Sequence, residues 1–175
     1  LAGYCIRLND SKLFREHRDM LKPFAPKLVG TVASIEVEKQ RSYIAADYAV
    51  RVFAPKWMRI LGNVEWAEKL EACSPIVDRE IASAAQKVAA EVRKAAAANA
   101  ASAADAANAA YAHASADAAA AADAAAYAAA AANAASASAA SAADAYADAY
   151  KKALPEDLQY LREKALECLD KMISV

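Results

Sequence analysis

From Ala95 to Tyr150 roughly two of every three residues are alanine, and none is Gly, Pro, Val, Leu, Ile, Lys or Arg. The interruptions are Asn, Ser, Asp, Tyr and the single His113. Alanine loses no side-chain entropy on entering a helix, so the run predicts helix along nearly its whole length. It also limits chemistry, because a reaction centre needs a diversity of side chains that the run lacks. No breaker occurs between about residue 77 and Tyr150. One unbroken helix there would be about 110 Å long at 1.5 Å per residue, whereas a compact domain of this size is about 40 Å across. The expected architecture is therefore an all-α multi-helix bundle whose long alanine-rich helices fold back as antiparallel hairpins. Tyr111–Asp117 and Asn133–Ser138 are the candidate turns, since Asn, Asp and Ser there can cap a new helix.

The run has no fixed period. Asn99, Ser102, Asp105, Asn108 and Tyr111 step by three, then the spacing drifts, so the interruptions spread around a helix instead of marking one face. Such a helix can be approached closely from several sides. Because alanine buries little area, the core has to come from the larger apolar residues before Arg93 and after Ala153. For 175 residues one domain is expected, with a mixed helical front (1–76), the alanine-rich segment (77–150) and a closing amphipathic helix (154–174).

The front divides at its turn residues. Asn9-Asp10-Ser11 is a stop and restart, after which Leu13, Phe14, His17, Met20 and Leu21 recur at helical spacing until Pro23 and Pro26. His17 is expected to be a partly buried structural residue. Ser34 caps the next helix, with a stripe of Ile44, Tyr48 and Val52, flanked by Ala45, Ala49 and Phe53, facing the core, and Pro55 ends or kinks it. Gly62 is a C-terminal cap, Asn63 caps a short helix, and Ser74-Pro75 starts the helix that leads into the alanine run. At the other end Leu154-Pro155-Glu156-Asp157 opens a helix with Leu158, Leu161, Ala165, Cys168 and Met172 on one face.

Net charge is −1, but its distribution is uneven. Residues 1–60 hold eleven Lys or Arg against six acids, while 95–150 holds Asp105, Asp117, Asp123, Asp144 and Asp148 with no cation. The basic residues are interleaved with acids and form no nucleic-acid motif, so no nucleic-acid partner is expected. Nor is a membrane partner, since Asp, Asn, Ser and His recur too often in the alanine run for a span. Cys5, Cys73 and Cys168 show no pairing pattern and no zinc spacing. With no apolar leader in Leu1–Asp10, where Arg7 interrupts, the expected location is the cytoplasm.

Few residues offer chemistry. His113 and Asp117 lie four apart, as two metal ligands might on one helix face, but two ligands do not make a site and the capping reading is preferred. No catalytic residue, metal or cofactor is expected. Asp47 and Arg51 sit at the i,i+4 spacing of a helical ion pair, and with Trp57 they are the candidate polar pocket for a small ligand. Tyr111, Tyr127, Tyr146 and Tyr150 are the large side chains of the alanine run and the candidate interaction surface, since aromatic residues dominate binding hot spots.

In composition the run resembles alanine-rich helical antifreeze proteins. Their ice binding depends on a flat Thr and Ala face in an eleven-residue repeat, whereas the one Thr here is Thr31, outside the run, and no such repeat is present. Leu21–Thr31 and Tyr43–Pro55 are similar to a group of uncharacterised bacterial and phage proteins with a helical front, an expansion rich in Ala, Asp and Tyr, and a short amphipathic closing helix. That resemblance implies no catalytic motif. The leading functional expectation is a non-catalytic protein–protein interaction or self-assembly module; ice binding and small-ligand binding are the alternatives.

Overall fold

Ser34 starts the element around which the molecule is built. Its Oγ accepts the Val37 N–H at 3.4 Å and opens α2 (Ile35–Tyr48), with Glu36 and Glu38 in the first turn, where the helix dipole favours acids. Pro55 does not end this helix. A π-helical turn, Ala49–Phe53, follows α2 and leads without interruption into α3 (Ala54–Ile60). A proline inside an α-helix clashes with the carbonyl four residues back. Widening the turn just before Pro55 relieves that clash, and Ala54 keeps helical angles of φ −61° and ψ −46°. This computed structural model describes residues 1–11, 13–96 and 153–175, and every regular element among them is helical.

The rod made by α2, the π turn and α3 is enclosed on more than one side. Of the expected stripe, Tyr48 is buried but Ile44 and Val52 are only half-buried. The fully covered positions are Ala45, Ala46, Ala49, Val50, Phe53, Trp57 and Met58. Ala45, Ala49 and Phe53, which flank that stripe, are thus buried as expected, and the covered face extends beyond them to Ala46 and Val50.

Gly62 stops the rod as expected. It sits at φ +85°, its N–H donates to the Arg59 carbonyl at 3.0 Å, and the Asn63 N–H reaches back to Met58 O at 2.8 Å. These two bonds are a Schellman cap. A Cβ added at Gly62 would meet nothing within 4 Å, so the cost of Gly62→Ala is that of the left-handed backbone alone. Chemical denaturation is expected to show a loss of about 1–2 kcal/mol. After the cap, α4 (Val64–Glu71) turns back on α3, burying Ala67 and Leu70.

Ser74-Pro75 does not start the next helix. Residues 74–77 lie outside any helix, where Asp47 Oδ1 takes the Ile76 N–H at 2.8 Å and the Ile76 side chain is buried. The cap is instead Asp78, whose Oδ1 accepts from Ile81 N at 2.9 Å, and α5 (Arg79–Ala96) packs on α4 through Ala82, Ala85, Ala89 and Val92. At the front, α1 (Ala2–Asp10) ends at Ser11, whose Oγ donates to Leu8 O at 2.9 Å. The regular helix expected from Leu13 to Leu21 is absent. A turn that buries Leu13 and Phe14 leads into two 3-10 segments, Arg18–Phe24 and Pro26–Leu28. Pro23 lies inside the first of these segments and Pro26 opens the second. His17 is exposed, not partly buried.

The closing helix, α6 (Pro155–Ile173), forms as expected. Asp157 Oδ2 accepts the Leu154 N–H at 3.0 Å, Pro155 takes the first position, and Leu161, Ala165, Cys168, Leu169 and Met172 are buried. Among the described residues, all six α-helices contribute buried hydrophobic residues to one core cluster. Among the described residues no helix is long and apolar enough to cross a membrane. The expected hairpins and turns of the alanine run, and Tyr111, Tyr127, Tyr146 and Tyr150, lie outside the described residues.

Candidate interaction site

Asp47 and Arg51 come together. Arg51 Nη1 donates to Asp47 Oδ1 at 3.3 Å, and the same oxygen holds Ile76 N. Trp57 does not join them: it is fully buried in the core. The pair therefore braces the rod against the 74–77 segment. Cys73 lies within their electrostatic influence, but burial pushes its thiol above the ordinary value, and Asp47 adds to that while Arg51 opposes it. Burial likewise pushes Cys168 up to about 12. Neither thiol has the lowered pKa of an activated nucleophile.

A second polar group fastens α6. The Tyr4 hydroxyl, fully buried, donates to Ala165 O at 3.0 Å. Arg41, also buried, donates through Nε to Met172 O and through Nη1 to Thr31 O, each at 2.8 Å, and pairs with Glu38. Tyr48 donates to Glu167 Oε1 at 2.6 Å, and Lys164 and Lys171 flank the same carboxylate at 2.6 and 3.1 Å. Lys56 meets Asp157 at 2.5 Å near the other end of the helix. Each carboxylate and hydroxyl here is already engaged with a protein partner, so the group has the character of a clasp.

The clasp has a pH signature. The Lys164 ammonium, and next the Tyr48 hydroxyl, hold the Glu167 carboxyl down at about 2. A depressed carboxyl stabilises the fold above its unfolded value and loses that contribution as pH falls toward the folded one. The gain of wild type over Glu167→Gln is therefore expected at pH 7 and should vanish as pH drops from about 4.3 to 2. Glu167 is 42% exposed, so solvent screening limits the difference to about 1 kcal/mol. Urea titrations of both proteins at several pH values would measure it; a difference that stays constant down to pH 2 would remove the assignment.

Unengaged apolar surface lies elsewhere. A groove of about 560 Å³ opens between α1 and the connector before α2, lined by Leu1, Cys5, Ile6, Leu28 and Val32, with Glu38 at its edge. Val32 is 99% exposed, Val29 84% and Ile6 60%. Glu38 brings little free charge, since Arg41 and the Leu1 amino group both meet it. A smaller cleft of about 370 Å³ runs beside α5, along Cys73, Ile81, Ala84 and Val88. Sequence reasoning did not single out Ile6 or Val32, which line the first groove. The available signal was Val32 in a connector without helical period, between Pro26 and Ser34.

Among the described residues no three of His, Cys, Asp and Glu are grouped to hold a metal ion. Comparison with protein-family models, curated proteins and solved structures finds no match to this chain. The site's own geometry therefore carries the functional argument.

Proposed function

We propose that the protein is a non-catalytic helical interaction module that self-associates. The observation that carries this reading is the groove beside α1, where Val32 and Ile6 present apolar side chains that are 99% and 60% exposed. Contiguous exposed apolar surface is costly to leave in water and marks contact sites. The engaged polar groups support a binding role over a reactive one, because the clasp residues are occupied in holding α6 and the two thiols discussed above are raised, not activated. Three free cysteines support a reducing, cytoplasmic setting.

The test is sedimentation velocity on the full chain across a wide concentration range, with the mass measured in the same samples. A mass that rises with concentration is the expected result. A monomer at every concentration would overturn the reading.

A further inference from the structure

We infer that α6 sets the groove beside α1: its C-terminal half braces both walls, so docking of α6 and association through the groove are coupled. This names the regulation of the groove and rests on the self-association reading for the partner, a second copy of the chain.

The groove has two walls. One is α1, which contributes Leu1, Cys5 and Ile6, and the other is the connector before α2, which contributes Leu28, Thr31 and Val32. The direct polar contact described between the two sides is the Leu1 amino group on Glu38, at 3.4 Å. Shorter ties run from each wall to α6. On the α1 side, the buried Tyr4 hydroxyl donates to Ala165 O at 3.0 Å. On the connector side, Arg41 of α2 donates to Thr31 O and to Met172 O, each at 2.8 Å, and so fastens the connector to α6. Lys27, next to Leu28, meets Asp170 at 2.6 Å.

Ala165, Asp170 and Met172 lie within about 10 Å of one another along the helix, at 1.5 Å per residue. One stretch of α6 therefore holds both walls, and the helix packs on α1 and α2 as well. No residue of α6 lines the groove itself. The helix can thus act on the groove only through the placement of its walls. The coupling is reciprocal by thermodynamic linkage. A second copy seated in the groove fixes the spacing of the walls and tightens α6, and loosening α6 weakens the hold on the second copy.

The test uses two cysteines of the native chain. Cys5 lines the groove and Cys73 lines the cleft beside α5, and both are half-buried. Alkylation of the full chain with iodoacetamide, followed by peptide mass spectrometry, gives the ratio of their rates. Tyr4→Phe combined with Asp170→Asn cuts one tie to each wall and changes no lining residue. Lys56→Gln and Glu167→Gln are the controls, since they cut ties of α6 to α3 and to Tyr48 and leave those to the walls intact. In dilute protein the double variant should raise the Cys5-to-Cys73 ratio by about fivefold, the low end of an allosteric coupling. Each control should stay near wild type. Sedimentation velocity should show the double variant associating about fivefold more weakly than wild type, with the controls again unchanged. A ratio that does not move, or that moves equally in the controls, would overturn the inference whether or not wild type associates. A ratio that moves while the association constant does not would overturn the coupling and leave self-association standing. A wild type that is monomeric at every concentration would overturn the self-association reading and the coupling with it.

Discussion

Replacing Arg41 with alanine is expected to lower the unfolding free energy by about 3–5 kcal/mol, the cost of breaking a buried charge pair by removing one partner. The Arg41 side chain is 2% exposed. Its loss leaves Glu38 without its closest cation, and it strips donors from the carbonyls of Met172 and Thr31. Met172 lies in the last turn of α6, where the dipole favours a cation. One guanidinium thus joins α2, the connector and the end of α6. Lysine presents a point charge where a planar fork is needed, so Arg41→Lys should recover only part of the loss. Urea denaturation at pH 7 measures both. A loss below about 1 kcal/mol for Arg41→Ala would show that α6 docks by apolar packing alone.

Trp57→Ala is expected to cost about 3–5 kcal/mol, the range for truncating a large aromatic in a packed core. Trp57 is among the largest fully buried side chains, and it belongs to α3, which packs on α4. Trp66→Ala should cost less, because Trp66 is only half-buried. Thermal unfolding of the two variants against wild type ranks them. The same pair of variants tests the small-ligand alternative. A Trp57→Ala protein of unchanged stability would contradict the core assignment and return Trp57 to the list of possible pocket walls.

The legible parts of the sequence share a short range. Ser34, Gly62 and Pro155 act within one helical turn, and the structure places each where its chemistry requires. The Asp47–Arg51 pair follows from the i,i+4 geometry in the same way. The misread parts involve competition. Ser74-Pro75 is a sound helix start, but Asp47, twenty-nine residues before Ile76, takes the Ile76 N–H and holds the chain out of a helix there. Leu13 to Leu21 carries a helical period, yet it forms a turn that buries Leu13 and Phe14 and then a 3-10 segment. Of the candidate pocket, Asp47 and Arg51 were legible as a pair; their separation from Trp57 was not, because burial depends on which helix crosses the rod.

What the sequence by itself determined is the all-helical class, the helix ends at Ser34, Gly62 and Pro155 and the apolar face of α6, since these depend on neighbours within a turn or two. Tertiary structure alone decided that the rod runs on through Pro55, that Arg41 is buried and that Val32 is bare. Arg41 is buried because Met172, 131 residues away, brings a carbonyl to it. Contacts of that length are set by how whole helices pack, and no local pattern of residues encodes them.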